Sequence, residues 1–472
     1  MFRDLIAHFV DLVIEFFRKE EVWWILIFVA LAGLIALPPA LGDITLRQVW
    51  LFILKLLVET WWLWFFFIIF FIARSSWLHW RQELFKKSTP FILLEIKIPR
   101  EIAKSPQAME QVLQTLYSLR NSAGDLEEKY WDGEVTRWFS LEMVSFGGEI
   151  RFYIRTYFKY RNLLEAAFFS YYPDVEIVEV EDYVEQLPHN VVEMQERGLE
   201  LWGSEMVLAR EPLYPIKSYS EFENIAEEKQ FDPISTFIEV LGKIKREEFF
   251  GIHILISALE PNWGDKYRGS LDSLQTPQTT EISSGDEDEG TRQVTIARTP
   301  GQIDVLEAVE RNLSKVAFNT LVRFVYLSPR ESFFDSYARR GILSAFNQYG
   351  SLSLNTFVRN EAMSTRVRIW YWPHIAPKTR NVFRQARLLW SFRERAIPPE
   401  EWMGRWLNAY LFNWNLKSRW FPLNVECLAT IFHPPTAVVL TAPHIKRVES
   451  RKAGPPAGLA IFGEEEDIEK FQ

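Results

Sequence analysis

Arginine and tryptophan side chains between residues 360 and 422 form the densest group in the chain that could bind a ligand. Three of the arginines recur at the spacing of one helix face. The candidate contact residues of this segment are Arg380, Arg384, Arg387, Arg393, Trp402 and Trp406. Guanidinium groups interleaved with aromatic rings can hold single-stranded nucleic acid. Charged helix faces are usually just solvated, so a second interpretation stays open, in which the tryptophans pack on a domain and the arginines face lipid or protein.

Residue types that support catalysis or metal binding do not recur at useful spacings. The seven histidines are scattered, and no pattern typical of a zinc site, a hydrolase nucleophile or a phosphate-binding loop occurs. Gly463 is followed by three glutamates, which would repel phosphate. Cys427 is the only cysteine, so we expect a buried structural thiol and no internal disulfide. The sequence therefore predicts no enzyme activity, and no metal or cofactor.

Two hydrophobic segments near the N-terminus predict a transmembrane hairpin. Residues 22–41 carry no charge, and residues 49–73 contain only Lys55 and Glu59 as charged side chains. Twenty residues of helix span about 30 Å, the thickness of the hydrocarbon core. Lys55 and Glu59 are four residues apart and can pair on one helix face. One interpretation of this pair is a polar site inside the membrane. The other is that both side chains extend to the nearby membrane–water interface.

The charges around these segments predict the orientation of the hairpin. Arginine and lysine flank the start of the first segment and follow the second, so both termini are expected on the cytoplasmic side. No small-residue cleavage site separates the two segments, which argues against a cleaved signal peptide. Residues 1–21 carry an amphipathic helix with an acidic polar face, suited to the membrane interface or to a protein partner. A basic juxtamembrane stretch completes the membrane region at residues 22–87.

The remaining chain predicts an α+β protein. Residues 88–185 follow the order β-α-β-β-α-β, with period-two alternation on both sides of Gly147-Gly148, and we expect a ferredoxin-like sandwich. Residues 186–360 repeat the helix and strand alternation and predict a second α+β domain. Within it, the acidic stretch 262–300 is expected to be a disordered insertion. Residues 361–472 are expected to form a basic and aromatic helical segment with a C-terminal tail.

The order of several strings resembles the N-terminal, non-motor region of the membrane-linked ATPases of bacterial type IV secretion and conjugation. The resemblance covers most of residues 88–463. Its strings are TPFILLEIKIPRE, SPQAMEQVLQTLYSL, EIRFYIRTYFKYRNLLEAAFFSYYPDVEIVEVEDY, EPLYPIKSYSEFE, DPISTFIEVLGKIKREEFFGIHILI and CLATIFHPPT with TAPHIKRVESRKAGPPAGLAIFG. In such proteins the last string leads into a nucleotide-binding motor domain. Here nine residues follow it, and we expect a chain without the motor.

The resemblance implies a role in assembly beside a separate ATPase. We therefore expect a multi-pass protein of the bacterial inner membrane. It would be a non-enzymatic scaffold of a secretion or conjugation apparatus that docks the ATPase at the cytoplasmic face. The alternative is a membrane-tethered nucleic-acid-binding protein that uses residues 366–420. The lipid bilayer is a partner in either case, and self-association into a homo-oligomer stays open.

Overall fold

The computed structural model describes most of the chain beyond residue 58. The described residues are 52, 55, 58–99, 105–223, 232–276, 279–282, 292–295, 298–333, 337–367, 374–407 and 418–435. The predicted amphipathic helix at residues 1–21 and the first predicted membrane segment at residues 22–41 lie outside them, as does the C-terminal tail. The described chain divides into two compact units. The smaller unit contains residues up to Ser88 together with Ser122–Val135 and Pro399–Asn408.

Helices and strands alternate through the described chain. The helices are α1 (Trp61–Ser88), α2 (Gln107–Ser118), α3 (Arg161–Tyr171), α4 (Val191–Glu196), α5 (Tyr219–Glu223), α6 (Ser235–Gly242), α7 (Arg268–Gln275), α8 (Pro300–Ser314), α9 (Tyr337–Asn347), α10 (Pro377–Arg393), α11 (Trp402–Leu407) and α12 (Val425–Ile431). The strands are β1 (Phe91–Lys97), β2 (Trp138–Phe146), β3 (Glu149–Tyr157), β4 (Glu176–Val180), β5 (Leu199–Leu208), β6 (Phe249–Ala258), β7 (Thr279–Ile282), β8 (Arg292–Thr295), β9 (Ala317–Pro329), β10 (Phe357–Arg359) and β11 (Phe421–Asn424).

The larger unit is built on one antiparallel sheet, which confirms the predicted mixed α+β class. The strand order is β10-β5-β9-β6-β2-β3-β1-β4, and β11 pairs with the first residues of β9. The tight turn between β2 and β3 contains Gly147 and Gly148, whose φ angles of 56° and 94° suit glycine. A Cβ atom on Gly147 would lie 2.7 Å from the carbonyl oxygen of Arg246. The turn therefore has no room for a side chain at this position.

The sheet contains the same connectivity twice. Strands β1 to β4 are ordered 4-1-3-2, and β5, β6, β9 and β10 follow the same order when they are counted as first to fourth. The second strands of the two sets, β2 and β6, pair antiparallel over nine residues, with Glu142 opposite His253 at the centre. The two α+β regions expected from the sequence therefore share one continuous sheet, and their equivalent strands meet in its middle.

Helix α10 lies on one face of this sheet. Leu388, Leu389 and Phe392 of the helix pack in one buried cluster with residues of β5, β6 and β9. Two strand glycines lie directly beneath it. A Cβ atom on Gly203 would lie 2.6 Å from Leu388, and a Cβ atom on Gly251 would lie 2.5 Å from Phe392. The absence of side chains at these two positions lets the helix approach the strands closely.

The prediction of a disordered insertion over residues 262–300 is wrong for its first part. Trp263–Tyr267 form a short 3-10 helix that leads into α7. Trp263 and Tyr267 are buried in a cluster with Val309 of α8. These aromatic side chains supply the apolar contacts that an unstructured insertion lacks. The strands β7 and β8 pair with each other further along, and the acidic residues between them lie outside the described residues.

In the smaller unit, the first half of α1 is covered with exposed apolar side chains. Trp61, Trp62 and every residue from Phe65 to Ile72 belong to this surface. Among the residues that the structure describes, no helix has both the length and the apolar character that a membrane crossing requires.

Lys55 Nζ and Glu59 Oε1 lie 3.7 Å apart, with both side chains largely exposed, so the pair expected from the sequence is formed.

Candidate functional site

A line of polar side chains crosses the sheet on the face that α10 covers. Directly opposed residues on neighbouring antiparallel strands point to the same face. The pairing register places in this line Glu95, Tyr153, Glu142, His253, Arg323 and Glu205. The middle four of these lie on β3, β2, β6 and β9, in the interior of the sheet, where a charged group needs a partner.

The centre of the line is an ion pair between Glu142 and Arg395. Arg395 Nε donates to Glu142 Oε1 at 3.0 Å, and its Nη2 donates to Oε2 at 3.1 Å. Both side chains are buried. The outer edge of the same guanidinium donates to the two carboxylate oxygens of Asp182, at 2.5 and 2.8 Å. This fork geometry satisfies the fixed donors of arginine, and Arg395 adopts a left-handed backbone with a φ of 47° to reach it.

Tyr183 and His253 complete the surroundings of Glu142. The Tyr183 hydroxyl lies 2.6 Å from Glu142 Oε2 and 2.6 Å from His253 Nε2. The hydroxyl has one proton, and the carboxylate can only accept, so Tyr183 donates to Glu142 and His253 Nε2–H donates to Tyr183. This assigns the proton of a neutral imidazole to Nε2. Within the described residues, Nδ1 has no hydrogen-bond partner, and the ring stacks on Phe392 with centroids 3.7 Å apart.

Burial and charge set the pKa values of this group. Burial alone would raise the pKa of Glu142, but the charge of Arg395 and the hydrogen bonds that Arg395 donates hold this pKa well below its usual range. Burial lowers the pKa of His253, and the attraction of Glu142 offsets only part of this effect. The pKa of Arg395 lies well above its usual range, because the attraction of Glu142 outweighs the effect of burial. The ionic state is therefore a carboxylate, a neutral imidazole and a guanidinium.

Arg323 forms a second buried ion pair, with Glu205, and also fastens the end of α10. Its Nε and Nη2 donate to Glu205 Oε1 at 3.3 and 2.9 Å. Its Nη1 donates to the carbonyl oxygen of Ser391 at 2.7 Å, and its Nη2 also donates to the carbonyl oxygen of Ala396, just past the helix, at 3.0 Å. A cation at this end satisfies carbonyls that have no partner within the helix and opposes the negative end of the helix dipole. Arg323 therefore connects strand β9 of the sheet to the C-terminal end of α10.

The predicted contact residue Arg393 belongs to the same attachment. Its Nη1 donates to the carbonyl oxygens of Val184 and Leu187, and its Nη2 lies 3.3 Å from Glu185 Oε1. The guanidinium thus holds the segment after β4 against the end of α10. Arg393, Arg395 and Arg323 together fix residues 391–396 to three separate parts of the sheet unit.

These contacts define a closed attachment. Glu142, His253 and Arg323 are all buried beneath α10, so no reactant from solution reaches them in this conformation. Within the part of the chain that the structure describes, no three His, Cys, Asp or Glu side chains are grouped to hold a metal ion. Chemically the group can hold buried charges in fixed positions, and His253 makes it respond to pH.

The structure corrects the expected ligand contacts of Arg380 and Arg384. Both arginines lie on α10, as predicted, but both side chains are buried. Arg384 Nη1 donates to the carbonyl oxygens of Glu361 and Ser364, at 3.1 and 3.0 Å. The row 380, 384, 388 is spaced by four residues, so both arginines share the inward face with Leu388. The sequence predicted that Arg380, Arg384 and Arg387 share one helix face. Arg380 and Arg384 lie on the inward face, whereas Arg387 is half-buried and lies beside the exposed Trp390.

The outward face of α10 carries a different set of side chains, which we call the α10 stripe. Its members are Val382, Phe383, Arg387 and Trp390. The three apolar side chains are exposed, and the guanidinium of half-buried Arg387 lies over the ring of Trp390 at 4.0 Å. Positions 383, 387 and 390 follow helical spacing. Leu388, Leu389 and Phe392 mark the inward face in the sequence, and that signal locates the stripe on the opposite side.

The other predicted contact residues lie in the smaller unit. Trp402 begins α11 and is exposed. Trp406 is in the same helix, and its side chain lies outside the described residues. Neither belongs to the larger unit that holds α10.

No protein-family model matches the chain, and no curated protein matches it at a significant level.

The substitution Arg395→Met tests how much the ion pair between Glu142 and Arg395 contributes to the stability of the fold. The substitution leaves Glu142 charged and buried without its main partner, so we expect the free energy of unfolding to fall by about 3–5 kcal/mol. The double variant Glu142→Leu/Arg395→Met removes both charges and should be more stable than the single variant. Denaturant midpoints of the full chain in detergent measure both. A single variant at least as stable as the double one would contradict the assignment.

His253 should make the unfolding free energy depend on pH. Its pKa is lower in the folded chain than the ordinary value of 6.5, so the unfolded chain binds more protons below that pH and acid destabilises the fold. The stabilising contribution of neutral His253 is complete above about pH 7 and declines as the pH falls through 6.5. We expect His253→Gln to flatten this part of the curve in unfolding titrations from pH 8 to 5. Equal slopes in the two proteins would refute the role of His253.

Proposed function

We propose that this protein is a membrane-anchored scaffold that docks a secretion-type ATPase through the α10 stripe. The observation that supports the proposal is that α10 has an exposed aromatic stripe on its outward side and is attached rigidly to the sheet on its inward side. Arg323 of β9 donates to backbone carbonyls at the end of α10. Arg395, two residues after the helix, forms a buried ion pair with Glu142 of β2. A rigid helix face loses little conformational entropy on binding, which favours its use as a docking surface.

The proposed partner is the ATPase of a type IV secretion or conjugation apparatus. The resemblance of the ordered strings in residues 88–463 supports this choice of partner. The stripe suits a groove of apolar side chains, since large aromatic side chains contribute much of the binding energy at protein interfaces. The protein itself performs no chemistry in this proposal.

The exposed surface of α1 supports the membrane anchor. Apolar side chains cover the helix from Trp61 to Ile72 on all sides, and each apolar Å² left in water costs about 25 cal/mol. A helix that is hydrophobic all round belongs in a core or in lipid. We propose that this surface is part of the second membrane segment, residues 49–73, in a hairpin of the bacterial inner membrane with both termini cytoplasmic.

The order in which the strands are connected supports a description of the sheet as two ferredoxin-like units. An antiparallel sheet ordered 4-1-3-2 with the chain order β-α-β-β-α-β is the arrangement of a ferredoxin-like unit. We propose that residues 88–185 form one such unit. The second, residues 186–360, has the same strand order with α7, β7, β8 and α8 inserted between its second and third strands.

Nucleic-acid binding loses support from the placement of the arginines. Arg380 and Arg384 lie in the core, and Arg393 holds backbone carbonyls. Of the four candidate arginines, Arg387 alone belongs to the exposed stripe. We therefore do not propose a nucleic-acid function.

A photo-crosslinking amino acid at Phe383 tests the docking surface. In native membranes we expect a crosslink to a protein whose peptides include a nucleotide-binding ATPase motif, as identified by mass spectrometry. Phe169, an exposed aromatic residue of α3, is the matched control position and should give no such product. Phe383→Ala/Trp390→Ala should lower ATPase recovery about tenfold or more, since each anchor can contribute over 1 kcal/mol. If position 383 crosslinks only to other copies of this chain, the α10 stripe is a self-association surface and not an ATPase-docking surface. If the ATPase is captured from position 169 and not from position 383, the proposed docking surface is wrong.

A further inference from the structure

Three tryptophans form an exposed aromatic cluster in the smaller unit. Trp77 and Trp80 belong to α1, and Trp131 belongs to the π-helical turn Glu128–Asp132. The ring centroids of Trp77 lie 5.2 Å from those of Trp80 and 6.1 Å from those of Trp131. Their side chains are 42, 51 and 65% exposed. Large aromatic side chains that are grouped and open to solvent mark an interaction surface.

The turn that carries Trp131 is built against α1. Trp77 Nε1 donates to the carbonyl oxygen of Tyr130 at 2.7 Å. Gly133 has a φ of 73°, and a Cβ atom there would lie 2.4 Å from the backbone carbon of Arg81. A side chain at this position would push the turn away from the helix. The turn is therefore held in place, and Trp131 stays beside Trp77 although it is distant in sequence.

The position of the cluster along α1 matches the edge of a bilayer. The exposed apolar surface of the helix ends near Ala73. Trp77 and Trp80 follow after about 6 and 10 Å of helix rise. The headgroup region adds about 5–8 Å to each side of the hydrocarbon core. With the apolar part of α1 in hydrocarbon, Trp77 lies at headgroup depth, where amphipathic rings are enriched. Trp80 starts just outside this layer, and its side chain leans back toward the helix N-terminus and the membrane.

The charges around the cluster decide which lipids it needs. The guanidinium of Arg81 lies 5.8 Å from the ring centroid of Trp80, and that of Arg74 lies 5.7 Å from the ring centroid of Tyr130, beside the cluster. The segment 122–135, which contains the turn, is acidic. Its carboxylates are Asp125, Glu127, Glu128, Asp132 and Glu134. These acids oppose attraction to an anionic membrane, so the aromatic side chains must supply the binding energy, and a zwitterionic surface is sufficient.

We infer that Trp77, Trp80 and Trp131 form an interfacial foot that inserts at the boundary between lipid headgroups and acyl chains. The inference rests on the proposed membrane anchor and adds to it a second contact with the bilayer, made by residues 122–135. This contact fixes the rotation of α1 about its axis, because only the helix face that carries the turn can be buried at headgroup depth. The foot holds the smaller unit in a defined orientation on the membrane.

Nitroxide labels on single cysteines test this depth in the full chain reconstituted in phosphatidylcholine vesicles. Cys427 is buried, so wild type should take no label and serves as the blank. Labels are placed by Trp131→Cys for the foot, Phe67→Cys for the apolar part of α1, and Leu352→Cys, at a fully exposed position, for the water value. One label per chain shows that Cys427 stays buried and the fold is intact. Electron spin resonance then compares the accessibility of each label to oxygen and to a water-soluble nickel chelate.

The oxygen-to-nickel ratio at residue 131 should lie between the ratios at residues 352 and 67. A ratio at 131 equal to that at 352, while 67 lies in lipid, overturns the foot and leaves the anchor standing. Low accessibility of 131 to both reagents indicates protein packing and also overturns the foot. A ratio at 67 equal to that at 352 overturns the anchor and the foot together.

Discussion

The ion pair between Glu142 and Arg395 determines where α10 lies on the sheet. Replacing a buried ion pair by apolar residues is often neutral or stabilising, so its presence is weak evidence of stability. Its geometry is specific, however. A fork of two hydrogen bonds on Glu142 and two more on Asp182 admits one position of the guanidinium. The charges therefore select one position and one rotation for the helix, and the apolar contacts of Leu388 and Phe392 strengthen that choice.

The location of the ion pair follows from the symmetry of the sheet. The nine-residue pairing of β2 with β6 is centred on Glu142 and His253, so these residues lie where the two equivalent halves meet. Alone, each half would present β2 or β6 as an open edge strand, a ready template for aggregation. Their pairing removes both edges and buries the central polar residues. The buried Glu142 then requires a cation, and α10 and the residues after it supply one.

Local structure was predictable from the sequence, and the site was not. Alternation about Gly147-Gly148 predicts β2 and β3, because a two-residue turn between apolar strands has few alternatives. The polar network joins Glu142, Tyr183, His253 and Arg395 across more than 200 residues of chain, and local patterns carry no information on such contacts. A faint signal existed, since Glu142 and His253 interrupt otherwise apolar strands. For Arg380 and Arg384, charge suggested exposure, but the neighbouring Leu388 and Phe392 pointed the same face inward.

Hydrogen exchange of the full chain in lipid vesicles tests most directly whether the charges hold α10 in place. Peptides from residues 377–393 are compared with peptides from β2 and β6 in wild type and in Glu142→Gln, which removes the charge but keeps the shape. We expect faster exchange in α10 with little change in the two strands, because the helix loses its ionic attachment while the sheet pairing persists. Unchanged exchange in α10, or equal acceleration in all three elements, would contradict it.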